Sequence, residues 1–203
     1  MFRALVLIFV GLFLSGCATT SIENGFNFLD SDQGIVVFSV TNDIGGGLHN
    51  NKAIFYMNHK ENKNYRQLES TQEVFPGGWY KPSEFGKVQG RLFAITLPAG
   101  THKLSTWKIF SSAGVFISPR VDPNPLSFEV AQGEIKYIGG FHMNLRAGKN
   151  FLGMTIVADG YPEILDRSER DIPMFEKRYP QFEGVIKSEI LKIGPWPNGA
   201  TAN

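Results

Sequence analysis

Residues 90–110, "GRLFAITLPAGTHKLSTWKIF", decide the fold. An apolar run, 90–97, ends at Pro98-Ala99-Gly100 and is followed by a second run, 101–110. Pro98 fixes φ and Gly100 tolerates positive φ, so the chain can reverse there between two strands. Downstream, "PLSFEV" (125–130) places Leu126, Phe128 and Val130 on one face. The turn "AQGE" then leads into "IKYIGGFHMNL" (135–145), and "FLGMTIVAD" (151–159) follows. Upstream lie "GIVVFSVT" (34–41), a buried-strand run, and "KAIFYMN" (52–58). This spacing of strand and turn signals predicts a mainly β domain over 34–160, an antiparallel β-sandwich of about seven strands. Gly139-Gly140 inside a strand predicts a bulge or the close approach of another element.

The same stretch carries a resemblance: Leu97-Pro98-Ala99-Gly100, His102 and Leu104, then Phe128 and Val130, Gly133-Glu134, Tyr137 and Gly139. It resembles a group of bacterial envelope lipoproteins with transthyretin- or carboxypeptidase-regulatory-like sandwiches. The likeness covers residues 90–141 and implies an immunoglobulin/transthyretin-like fold. It implies no particular activity, because such sandwiches carry many roles.

The only cysteine, Cys17, stands behind "LVLIFVGLFL" (5–14), a run without a polar side chain preceded by Arg3. That run has the length of a signal-peptide core and is too short for a spanning helix, which needs about 20 apolar residues. Leu14-Ser15-Gly16-Cys17 resembles the lipobox of bacterial lipoproteins. The resemblance implies cleavage after Gly16, a diacylglyceryl group on the Cys17 thiol and an acyl chain on its amine. Two or three chains anchor stably, each buried CH₂ adding about 0.8 kcal/mol. Ala18, in place of an aspartate, favours the outer membrane over the inner membrane; exposure at the cell surface is a further alternative. With Cys17 a thioether, the mature chain has no disulfide to form and relies on its core.

Removing residues 1–16 leaves 187 of the 203, enough for one domain with a sizeable core. The chain has 20 Lys+Arg and 19 Asp+Glu, and losing Arg3 makes it formally neutral, which argues against a nucleic-acid partner. Residues 17–33 read as the lipidated cysteine and a tether that spans about 20–24 Å if flexible and less if Phe26 or Phe28 docks. Residues 161–203 read as a C-terminal extension whose short helix packs on the sandwich. Asp171 is its expected N-cap, Pro173 lies in its first turn, Phe175 and Tyr179 share a face, and Pro180 ends it. Residues 182–194 fit a strand or a helix, and "PWPNGATAN" reads as a loose tail.

No catalytic constellation stands out. His49, His59, His102 and His142 show no metal-ligand spacing; His102 and His142, on strands that the pattern allows to be neighbours, are the weak candidates, and no metal is expected. There is no GxSxG motif and no free thiol. "IGGGLHN" (44–50) lacks the P-loop lysine and reads as a mobile loop. Residues 59–89 form a long connection of the kind that is functional or carries its own structure. Within it, Trp79 and Tyr80 are candidate contacts for a partner or ligand, or they cover one end of the sandwich. Arg120, in the loop 115–125, is a third candidate contact. The expectation is a membrane-anchored envelope lipoprotein facing the periplasm, a binding or assembly module without catalysis and without a cofactor beyond its lipid. Its partner would be an envelope protein or peptidoglycan. The alternatives are a carbohydrate-binding module and a periplasmic hydrolase.

Overall fold

The structure, a computed structural model, describes residues 22, 32–44, 51–59, 64–75, 79–111 and 114–196. The lipobox, Cys17, all but residues 22, 32 and 33 of the expected tether, most of the Gly-rich loop and His49 lie outside these residues. Two sheets form a sandwich, in agreement with the mainly β expectation. The first sheet contains β1 (Gln33–Asn42), β6 (Gln89–Pro98), β10 (Ile135–Lys149) and β11 (Thr155–Leu165), in the order β11-β10-β1-β6. The second contains β2 (Lys52–Met57), β3 (Arg66–Glu69), β7 (Gly100–Phe110), β8 (Phe116–Ile117) and β9 (Leu126–Val130). Its order is β3-β2-β7, with β8 and β9 sharing the far edge of β7. The long connection 59–89 does carry structure of its own: β3, and a hairpin of β4 (Glu73–Phe75) and β5 (Trp79–Tyr80).

Two-residue alternation builds the core between the sheets. Val36, Phe38 and Val40 of β1 meet Phe55, Leu104, Trp107 and Phe128 of the facing sheet. Phe38 is stacked between Phe93 and Phe141, at ring distances of 5.2 and 5.0 Å. The odd-numbered residues Ile35 and Val37 are also buried, but on the outer face, in a second core with Leu92, Ala94, Tyr137 and Phe175. β1 is therefore covered on both sides, which is why it reads as an unbroken apolar run rather than an alternating one.

The all-antiparallel expectation needs correction, since β1 and β10 run parallel, as do β10 and the two-residue β12 (Lys187–Ser188). Most of the second sheet lies between β1 and β10 in sequence, so the long crossover that a parallel pair requires is present. The register shifts between Val37 and Ser39, where Gly139 has φ +112°, so the expected bulge is there. Gly100, φ +133°, makes the reversal into β7.

The outer layer is α1 (Ser168–Arg178) followed by a 3₁₀ turn (Pro180–Phe182). α1 starts earlier than expected. Asp166, not Asp171, takes the Ser168 N–H and hydroxyl, at 2.9 and 2.6 Å, so Asp171 is drawn into the buried first turn and Pro173 falls inside the helix. Tyr179 closes the helix before Pro180. Residues 183–196 run as a mostly extended strap, with β12 (Lys187–Ser188) paired to the start of β10 and β13 (Gly194–Pro195) paired to β11. The tail is not loose at Trp196, which is buried and donates its indole N–H to the Asn124 carbonyl at 2.8 Å. The predicted strand 151–159 begins only at Thr155, and residues 151–154 form an exposed turn. An apolar run has the same composition whether it is buried or displayed.

Candidate binding cleft on the second sheet

The outer face of the second sheet carries a cleft of about 340 Å³. Its position follows from the end of β2. There Asn58 takes φ +53°, a conformation asparagine tolerates better than most residues. Its side chain fixes the turn: Oδ1 accepts from the Lys103 N–H at 3.0 Å, and Nδ2 donates to the Asn64 carbonyl at 3.1 Å. Nδ2 also meets His102 Nδ1 at 3.0 Å. His102 Nε2 lies 2.8 Å from the Pro98 carbonyl, which only accepts, so Nε2 carries the proton and Nδ1 accepts from Asn58. The histidine of the "LPAGTH" segment thus supports the cleft wall from behind without entering it.

The turn at Asn58 brings His59 to the cleft, where its backbone N–H donates to Ser105 Oγ at 3.1 Å. His59 Nδ1 is buried and has no hydrogen-bond partner. Its ring belongs to an aromatic group with Tyr56 and Tyr65, at 5.3 and 5.9 Å, and the two tyrosines stack at 6.1 Å. Tyr65 is 41% exposed and presents this platform to solvent. Burial, with Tyr65 and Glu69 nearby, pushes the Tyr56 phenol above its ordinary range, so it stays a neutral donor. Lys108 Nζ lies over the Tyr56 ring at 5.6 Å. Across the cleft, Thr106 donates to Asp122 at 2.9 Å, and Pro123 and Pro125 stiffen the wall. The lining thus combines the His59 ring, two hydroxyls, Lys103 and a carboxylate, with the Tyr56–Tyr65 stack beside His59, and is suited to holding a polar ring compound.

The sequence candidates are placed differently. Trp79 and Tyr80 form β5, paired to Phe75 and Glu73, and their side chains lie outside the description. Arg120 is exposed, two residues before Asp122 in the loop that closes the cleft, but it does not line it. His102 and His142 sit on β7 and β10, in different sheets, so the strands expected to be neighbours are not. Among the described residues no three His, Cys, Asp or Glu side chains converge as a metal would require.

His142 belongs to a separate set on the outer face of the first sheet. Thr41 Oγ1 lies 2.8 Å from its Nδ1, and Asp43 Oδ1 lies 3.3 Å from its Nε2. A hydroxyl, an imidazole and a carboxylate in that order suggest a nucleophilic relay. Yet Thr41 is only 5% exposed, and Asp43 Oδ2 is occupied by the Leu145 N–H at 2.9 Å. The set ties the end of β1 to β10.

Spacing gave no sign of Tyr65 or Asp122. They reach the cleft from connections flanking β3 and β9, and only the rigid "DPNP" turn (122–125) hinted at a fixed wall. No family model, no curated protein and no solved structure matches the chain. Among the described residues, no helix is long and apolar enough to cross a membrane.

Proposed function

We propose that the protein is an acylated lipoprotein of the bacterial outer membrane, anchored through Cys17, whose periplasmic sandwich is a binding module that holds a glycan, with peptidoglycan as the polymer. The observation that carries the ligand class is the Tyr56–His59–Tyr65 group beside Ser105, Thr106 and Asp122. Sugar rings offer apolar C–H faces to aromatic side chains and hydroxyl edges to polar ones, and this cleft has both. Binding rather than hydrolysis is favoured because His59 Nδ1 meets no orienting carboxylate.

The anchor is tested by the mass of the protein purified from membranes, with Cys17→Ser as control. The ligand is tested by titrating soluble peptidoglycan fragments into the protein and into Tyr65→Ala. We expect the variant to bind about tenfold more weakly, since an exposed aromatic anchor contributes at least about 1.4 kcal/mol. Absence of binding to the parent removes the glycan reading and leaves an envelope protein as the partner.

A further inference from the structure

Beyond Met143, which pairs with the last residue of β1, β10 continues with β11 as its only partner among the described residues. The two strands form a ribbon that stays on the core as far as Leu145 and Val157, then passes beyond it and ends in the turn Asn150–Met154. Three of the five turn residues are large and apolar, and all three face water: Phe151 is 94% exposed, Leu152 65% and Met154 55%. The turn is not held by these side chains. Asn150 holds it: its Oδ1 accepts from the N–H groups of Leu152 and Met154, both at 3.0 Å, while its backbone bonds Met154 and Gly153. A polar residue thus fixes the backbone so that the apolar ones point outward. Contiguous exposed apolar groups of this kind mark a contact surface.

We infer that this turn inserts into the lipid bilayer. The surface is convex, and a convex apolar tip suits a fluid bilayer, which needs no preformed groove. The charge around it is complementary to an anionic membrane: between Arg146 and Asp159 the chain carries Lys149 and no carboxylate. Lys149 is one residue behind the turn, at headgroup depth when the apolar side chains are immersed. Further back, the Arg146 guanidinium lies over the half-exposed Tyr161 ring at 5.2 Å, a pair suited to the wet side of the interface. Val115 and Phe116, exposed at 56% and 60%, follow the end of β7 at the same end of the sandwich.

The inference rests on acylation of Cys17, which would bring the domain to the membrane. Five positions beyond Cys17, Ile22 is docked on the outer core, its N–H donating to the Tyr179 hydroxyl at 3.3 Å. Val88 packs in the same core, and Arg178 bonds the Leu92 carbonyl at 3.2 Å. Val88 and Leu92 flank the start of β6, which pairs with the end of β1. The lipid-bearing segment therefore meets the domain on the outer core, beside the end of α1.

The test uses the protein purified from membranes, its mass reporting acylation of Cys17 independently of the turn. Nitroxide is attached at Leu152→Cys and, in a second sample, at Thr101→Cys at the opposite end. Both are reconstituted in vesicles of phosphatidylethanolamine and phosphatidylglycerol. At 152, collisions with oxygen should exceed those with a water-soluble nickel chelate, and at 101 the order should reverse. Omitting phosphatidylglycerol should weaken insertion about fivefold through loss of the Lys149 attraction. A residue 152 as open to the chelate as residue 101, in a protein of acylated mass, overturns the inference. So does a turn that stays wet in vesicles but is shielded in intact envelopes, which would assign it to a protein partner.

Discussion

Polar groups buried under the helix set how the first sheet responds to acid. Asp171, fully buried, accepts from the Tyr137 hydroxyl at 2.9 Å and from Arg170 Nε at 2.7 Å. Arg170 reaches on to Ser39 at 2.9 Å and lies 3.8 Å above the Phe85 ring. Burial, followed by the field of Asp171, raises the Tyr137 phenol, so this contact keeps its proton throughout the useful pH range. His142 behaves differently. Burial lowers its pKa and outweighs the opposing pull of Asp43 and Glu163, with Arg167 adding to the depression. The unfolded imidazole, with a pKa of about 6.5, therefore binds a proton where the folded one does not. Its stabilising contribution is complete above that value and is lost as pH falls below it through the folded pKa. We expect the urea midpoint of the parent to fall toward that of His142→Gln as pH drops below about 6.5, with the gap widest above that value. A gap constant with pH would mean that the imidazole is not the titrating group.

At the scale of elements, the strands were legible because burial writes itself into sequence as alternation or as an unbroken run. All seven expected strands are present, and Gly139 and Gly100 sit where the backbone needs them. The helix was legible from Phe175, Tyr179 and Pro180, but its start was not, because its N-cap is Arg167, which makes no side-chain capping bond, while Asp171, the residue type that usually caps, is spent inside the first turn. Its bond to Tyr137 holds it there. The strap after α1 was ambiguous because Ile186 and Ile190 pack on the outer core from a mostly extended segment, where apolar spacing copies a helix. Part of its hold is Lys136. Burial opposes its charge, but bonds to Glu189 and Glu134, at 2.7 and 3.4 Å, outweigh that and leave its pKa raised. The cleft was illegible for another reason, since its residues come from separate connections that only the folded sheet brings together. If the helix is a true second layer, Phe175→Ala should cost as much as a core substitution. Phe175 is fully buried against Tyr179 and Phe182, at ring distances of 5.3 and 6.2 Å. We expect a loss of about 3 kcal/mol in urea unfolding, at the lower end of phenylalanine truncations because the half-buried Ile172 and Met174 can close in. A loss below about 1 kcal/mol would make the helix a loose cover.

For the whole molecule, acylation of Cys17 as proposed would make the distance between sandwich and lipid depend on where the chain after Cys17 first meets the fold. With Ile22 as that point, five chain steps lead to it from Cys17, a reach of at most about 18 Å. Were Ile22 released, the next described position is Asp32, whose carbonyl accepts from the Ala99 N–H at 2.8 Å. The limit then becomes about 50 Å. With Cys17 acylated as proposed, Ile22 would act as a clamp that keeps the domain low on the membrane, and the ribbon turn would be a second point of hold. Two points fix an orientation where one leaves the domain free to swing. The clamp is separable from the turn in a protein with Phe151→Ser, Leu152→Ser and Met154→Ser, all exposed positions whose change leaves the core intact. In that background, Ile22→Asp with Tyr179→Phe should let the sandwich rise. Energy transfer from a donor on its surface to acceptors in the headgroups should drop clearly, while the acylated mass stays the same. Unchanged transfer would show that the segment between Cys17 and Asp32 is held elsewhere, and that the cleft's height above the membrane does not depend on Ile22.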